Sequence, residues 1–316
     1  MAGKVYAYPD VGRAGLGNLL FPWARAEVFA QRYGTAILAP QWTKPKMGPL
    51  LRGERDKRFY VGLFDSSGFV RGPRRWMALW RGQRVDESVA DQFMSGDDRR
   101  GTTLVVFKGF EFWFKGMGPH QDLMPHRELV TRRLHEIVST PLKRTLAEQP
   151  VDFAIAAHVR RGDKPTMNFM EPYGGLKDGL PQHHCTMSDQ WFVNAINNLR
   201  AAIGWPAPLK VFSDARDEQI QSILALENVT RAPDNPSIVD LLMLAKAKVL
   251  ITTGTSSFSA WASFVGGAPT IWYPGLRLEL TPEHPERAIE ADLAGELPAD
   301  AAPVLRAAVG EGKSKK

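Results

Sequence analysis

The residues best suited to chemistry stand together in one decapeptide, Ile155-Ala156-Ala157-His158-Val159-Arg160-Arg161-Gly162-Asp163-Lys164. The apolar run from Phe153 to Ala157 predicts a buried strand, and it runs into a histidine, two arginines, a glycine, an aspartate and a lysine. A guanidinium presents a rigid fork of donors that matches phosphate and carboxylate. In an open α/β sheet, ligands sit just outside the carboxyl ends of the strands. The run therefore predicts a clamp for a diphosphate, and with it a nucleotide-linked ligand. Strand parity puts His158 and Arg160 on one side, and Asp163 would orient an arginine or meet a ligand hydroxyl. A surface ion-pair cluster is the alternative for the same charges. Arg161-Gly162-Asp163 as an adhesion motif is coincidence.

Two more segments carry residues of the right kind, and all three are expected to meet at one site. Gly12-Arg13-Ala14-Gly15-Leu16-Gly17-Asn18 lies between a short strand and a helix, where glycines let backbone amides approach a ligand. It is neither the dinucleotide fingerprint, because Leu20 stands where the third glycine belongs, nor a P-loop, so a plain tight turn remains the other reading. Val211-Phe212-Ser213-Asp214 is a strand ending in a polar pair. The Asp214 carboxylate could accept two hydrogen bonds from a guanine edge, or cap the next helix. Further on, the hydroxyls of Thr253 to Ser259 open a helix, as an anion seat or as simple capping.

The elements that must position these residues follow from periodicity. The first region predicts a strand over Val5 to Tyr8, a helix from about Leu19 to Tyr33 with Pro22 in its first turn, and strands over Thr35 to Leu38 and Thr103 to Phe107. Between Pro40 and about Arg100 the pattern breaks into loops and short elements, and Leu123 to Leu146 reads as mostly helical. After Pro150 strand and helix alternate. Strands are predicted over Phe153–Val159, Leu209–Ser213, Val249–Thr252 and Thr270–Tyr273. Helices are predicted from a Ser188 cap to about Ile203, over Asp217–Leu226 and Ile238–Lys246, and from about Ala260. Such alternation argues for a parallel sheet. The domain division is 1–150, 151–280, and a tail of 281–316 with helical patches that pack back on the first domain before a disordered basic end.

Composition is that of a globular protein: 316 residues, 44% apolar and 23% charged. The net charge of +6 is mild for this length and suits a polyanionic small molecule or a membrane surface better than nucleic acid. Arg71, Arg74, Arg75, Arg81 and Arg84 form one basic cluster, and Lys313, Lys315 and Lys316 another. The single cysteine, Cys185, allows no internal disulfide; its neighbour His184 is weak ground for a catalytic thiol. The uncharged stretch from Val249 to Leu276 is interrupted by turn formers and reads as strand, loop, helix and strand rather than a membrane span. The N-terminus lacks signal-peptide order, so a cytoplasmic location is expected, with the inner membrane face as a place of peripheral association. Trp42, Trp76, Trp80 and Trp113 could stack on sugar rings or belong to the core.

Taken in order, these segments resemble the GDP-fucose-dependent fucosyltransferases, and within them the α-1,2-fucosyltransferase family. His158, Arg160, Arg161 and Asp163 meet the pattern His-x-Arg-Arg-x-Asp. Gly15-Leu16-Gly17-Asn18 with Phe21, Phe212-Ser213-Asp214, and Ser256-Ser257-Phe258-Ser259 with Trp261 accompany it. Leu19-Leu20 departs from the usual Gln-Met, Ala215 from a second aspartate, and residues 40–100 have no counterpart. The resemblance implies a GT-B type α/β fold, two Rossmann-like domains facing a cleft, with the donor held mainly by the second. It implies Arg160 on the β-phosphate, His158 and Asp214 on guanosine, and Ser256, Ser257, Phe258 and Ser259 along the phosphates, with Gly15, Gly17, Asn18 and Arg161 also on the donor side. The chain has no Asp-x-Asp tripeptide to hold a metal, so Arg160 and Arg161 with helix-start amides are expected to take the diphosphate's charge in an inverting, metal-independent transfer of fucose to an oligosaccharide or glycolipid. Asp163, Glu171 and Glu111 are the candidate general bases, and Arg160 and Asp163 the catalytic pair. Another nucleotide sugar as donor, or a non-catalytic binding module, stands as the alternative.

Overall fold

The computed structural model describes residues 3–12, 14–43, 60–96, 101–109, 120–161, 187–253 and 256–310. They fall into two compact units, with the described residues up to Arg144 in the first and those from Thr145 onward in the second.

The first unit is built on a parallel four-stranded sheet of β1 (Lys4–Asp10), β2 (Ala36–Ile37), β3 (Gln83–Asp86) and β4 (Thr102–Lys108), in the order β2-β1-β4-β3. Its helices are α1 (Leu16–Tyr33), α2 (Gly72–Arg81), α3 (Ala90–Ser95) and α4 (Arg127–Ile137), with α5 (Thr140–Glu148) at the junction of the units. α1 starts three residues earlier than its apolar spacing predicts, because the Gly15 carbonyl already accepts from the Asn18 and Leu19 amides at 3.0 and 3.2 Å. Pro22 consequently lies inside the helix, beyond its first turn. The stretch Leu123 to Leu146, read as mostly helical, is so, and it divides into α4 and α5 at Val138 and Ser139. Pro141 has no amide to donate to the Ile137 carbonyl, which accepts instead from the Asp65 amide at 2.7 Å.

α1 is buried nearly all round over its first turns, so its charges must be paired. Arg25 Nε lies 2.7 Å from Glu87, and Arg25 also donates to the Lys108 carbonyl. Glu27 accepts from Trp23 Nε1 at 3.0 Å and from Arg133 Nε at 2.9 Å. Burial holds the Glu87 carboxyl above its ordinary range although Arg25 opposes the shift. Burial acts harder on His120, which lies edge-on to Phe21 at 4.7 Å, and pushes its pKa from 6.5 to about 3. The unfolded chain therefore takes up a proton near pH 6.5 that the folded chain refuses until about 3. Stability is expected to fall as pH drops through that window, by up to ~1.4 kcal/mol per unit. Denaturant midpoints measured against pH check this: the acid slope should flatten in His120→Leu, and an unchanged slope refutes it.

The second unit carries a parallel six-stranded sheet of β5 (Ile155–Val159), β6 (Leu209–Ser213), β7 (Val229–Arg231), β8 (Val249–Ile251), β9 (Thr270–Trp272) and β10 (Ala288–Glu290). Its order, β10-β9-β8-β5-β6-β7, is that of a doubly wound sheet whose strand order reverses between β5 and β8. Around it lie α6 (Asp189–Ile203), α7 (Gln221–Leu224), α8 (Ser237–Leu244), α9 (Ser257–Gly266) and α10 (Ala301–Val309). β8, α9 and β9 occupy the long uncharged stretch, as strand, helix and strand; no helix among the described residues is long and apolar enough to cross a membrane. Ile155, Ala157 and Val159 point one face of β5 into a core with Phe192, Ile196 and Leu199 of α6.

The described part of the tail, expected to pack on the first domain, belongs to the second unit. β10 extends the second sheet beside β9, and Ala301, Leu305 and Val309 of α10 join the core that holds α6. The basic end at Lys313, Lys315 and Lys316 lies outside the described residues.

Candidate functional site

At the reversal point between β5 and β8, His158 meets Phe258 and Ser259 of α9, while Asp214 meets the Arg161 amide at the ends of β5 and β6. His158 is the fourth residue of β5, so it points away from the core face and toward α9. Its Nδ1 lies 2.6 Å from Ser259 Oγ, which is fully buried, and its ring faces Phe258 at 5.2 Å. The imidazole is 8% exposed. A hydrogen bond at one ring nitrogen fixes the tautomer and directs the other.

Ser256 stands at the start of α9, and it does not cap with its side chain. Its Oγ is buried and has no hydrogen-bond partner among the described residues. Between the two readings of this segment, capping thus loses its main support. The first amides of a helix have no partner within it and sit at the positive end of its dipole. Ser257 and Phe258 occupy that first turn.

Asp214 lies one residue past β6 and is held from several sides. Ser213 Oγ donates to the Val159 carbonyl at 2.5 Å and accepts from the Ala215 amide at 3.0 Å, tying the ends of β5 and β6 together. Arg231 of β7 donates to the carbonyls of Ser213 and Ala215, on either side of the aspartate, and pairs with Asp217. Asp214 Oδ1 accepts from the Arg161 backbone amide at 2.7 Å, leaving Oδ2 without a partner among the described residues. It caps no helix, because the turn that follows begins at Arg216. Nothing in the local sequence marked Arg231: its partners are brought to it only by the pairing of β6 with β7.

The two arginines do different things. Arg161 is 4% exposed; its guanidinium donates to the Met187 carbonyl at 2.6 Å and pairs with Asp189, the first residue of α6. Asp189 in turn accepts from Ser222 Oγ at 2.9 Å. Arg160 lies partly exposed just beyond the end of β5.

Gly15, Gly17 and Asn18 belong to the first unit. Gly15 is the N-cap of α1 without any side chain to cap with, and Gly17 and Asn18 form the first turn. Gly12, at φ +56°, turns the chain between β1 and that helix. Trp42 is buried against Phe64 at 4.3 Å, the core alternative for that residue. Glu111, Trp113, Asp163, Lys164, Glu171, His184, Cys185, Arg13 and Thr255 lie outside the described residues. Among the described residues no group of three or more His, Cys, Asp or Glu could hold a metal ion.

No protein-family profile and no curated protein sequence matches the chain. Solved structures do. NodZ, an α-1,6-fucosyltransferase soaked with GDP-fucose, is 17% identical over 86% of this chain and 96% of its own, with a TM-score of 0.49. Fucosyltransferase NodZ from Bradyrhizobium is 16% identical over 84% and 94%, at 0.46. POFUT1 in complex with GDP is 14% identical over 86% and 98%, at 0.47. All three scores lie below 0.5, so the functional reading stands on the site's own residues.

Proposed function

We propose that the chain is a fucosyltransferase that moves fucose from GDP-fucose to a glycan hydroxyl, in α-1,2 linkage, with inversion and without a metal. The observation that carries this reading is the meeting of His158 with the start of α9 at the reversal point of a doubly wound sheet. Ser259 orients the histidine there, while the buried Ser256 hydroxyl has no partner among the described residues. Arg160 follows two residues after His158, just past the end of β5, and the resemblance of His158-Val159-Arg160-Arg161-Gly162-Asp163 to the fucosyltransferase pattern adds the sugar and the base. The α-1,2 linkage rests on the Gly15-Leu16-Gly17-Asn18 and Ser256 to Trp261 segments of that same resemblance.

In this reading the bond between the anomeric carbon and the β-phosphate oxygen breaks, and the diphosphate leaves with the electron pair. Arg160 and the amides of Ser257 and Phe258 receive the growing charge, as preorganised donors do. The Asp214 carboxylate, fixed through Oδ1 by the Arg161 amide in a loop that Arg231 braces, accepts through Oδ2 from a guanine edge. The acceptor hydroxyl attacks the opposite face and gives its proton to one of Asp163, Glu171 and Glu111.

Calorimetric titration with GDP, UDP and ADP tests the donor. GDP is expected to bind at least about tenfold more tightly, because adenine and uracil lack guanine's adjacent pair of donors, N1–H and the exocyclic amine, that a single carboxylate can meet. Preference for UDP or ADP would assign another nucleotide sugar, and no nucleotide binding would reduce the chain to a module of the same fold.

A further inference from the structure

We propose that α2 is a docking surface for an anionic lipid bilayer. The helix, Gly72-Pro73-Arg74-Arg75-Trp76-Met77-Ala78-Leu79-Trp80-Arg81, seats only a narrow face on the first sheet: Ala78 and Leu79 pack with Leu38, Leu104 and Val106. Its opposite side is apolar and open. Trp76 is 69% exposed, Met77 56% and Trp80 80%. Residues turn by about 100° each, so these three side chains fall on one arc, with Arg81 and Arg74 bordering it. The stripe is continuous and faces solvent, although large aromatics are ordinarily buried.

The charge around the stripe selects the occupant. From Ser66 to Val85 the chain carries five arginines, Arg71, Arg74, Arg75, Arg81 and Arg84, and no Asp or Glu. The Arg81 guanidinium lies 5.2 Å from the Trp80 ring, while Arg75, 5.8 Å from the Trp76 ring, turns its Nε to the Ala39 carbonyl on the sheet side. Indole rings with guanidinium groups at the same level suit a bilayer's headgroup boundary, where the ring enters the acyl edge and the cation meets phosphate. A second copy of the chain would bring like charge against like charge across a two-fold axis. A glycan seat would need carboxylates or amides to hold sugar hydroxyls beside the rings, and α2 itself carries neither.

Sedimentation with vesicles tests the proposal. The full chain is expected to pellet with phosphatidylcholine vesicles containing about one-third phosphatidylglycerol and to stay in solution with phosphatidylcholine alone, the binding weakening as salt rises. Trp76→Ala with Trp80→Ala, and separately Arg74→Gln with Arg81→Gln, should each lower vesicle affinity by about tenfold or more. Their melting should be unchanged, because these side chains are exposed. Absence of vesicle binding, or binding that both variants keep, overturns the proposal. So does a finding that the variants abolish self-association, nucleic-acid binding or oligosaccharide binding while vesicle affinity stays as it was.

Discussion

Arg160→Ala should lower fucosyl transfer by roughly 100- to 1000-fold while the protein still folds and melts like the wild type. The expectation follows from where the charge goes. Cleavage of the donor leaves an additional negative charge on a diphosphate, and a cation already in place stabilises that charge more in the transition state than in the bound donor. The loss should therefore fall on kcat more than on KM. Arg160→Lys keeps the charge and loses the bidentate fork, so its rate should lie between the two. Under the proposed mechanism turnover should persist in chelator, because there the guanidinium and the start of α9 take the role of a divalent cation. Initial rates with GDP-fucose and a glycan acceptor measure all three. An Arg160→Ala enzyme with wild-type kcat, or a wild-type enzyme silenced by chelator, refutes the assignment.

What the sequence disclosed and what it hid divide along physical lines. β5 and β6 are legible because they are central and buried, so Ile155-Ala156-Ala157 and Val211-Phe212 stand out as apolar runs. The start of α6 is legible because Ser188 is a local cap, its Oγ accepting from the Trp191 amide at 3.2 Å. β3, β7 and β10 lie at sheet edges, with the sequences Gln-Arg-Val-Asp, Val-Thr-Arg and Ala-Ile-Glu. Three or four residues with mixed polarity become strands only because a neighbouring strand offers its ladder. Within the site, the chemistry of His158 and Asp214 was visible and the brace was not. Arg231 reaches the Asp214 loop across the pairing of β6 and β7, and no local spacing encodes that approach. The exposed indoles of α2 were also ambiguous, since Trp42 and Trp76 look alike in sequence and only packing separates a core ring from an open one.

The sharpest ambiguity of this kind was the pair Arg160-Arg161, which the sequence presents as equivalent cations, and it yields the second large expectation. Arg161→Ala should destabilise the protein by about 3 kcal/mol, the lower end of the cost of removing one partner from a buried pair. The lower end applies because Asp189 keeps 28% of its side chain in solvent and retains Ser222 as a donor, so its charge is not stranded in full. The Met187 carbonyl loses its donor as well. Arg161→Lys should recover only part of the loss, since an ammonium cannot span both acceptors as a planar fork does. The contact to Asp214 comes from the backbone amide of Arg161 and survives either substitution. Nucleotide affinity per folded molecule should therefore change far less than in Arg160→Ala. Denaturant unfolding with parallel GDP titration separates the two residues: one variant folded and inactive, the other unstable and still able to bind. Were Arg161→Ala to keep wild-type stability and lose GDP, the guanidinium would be serving the ligand, and α6 would owe its anchorage to something else.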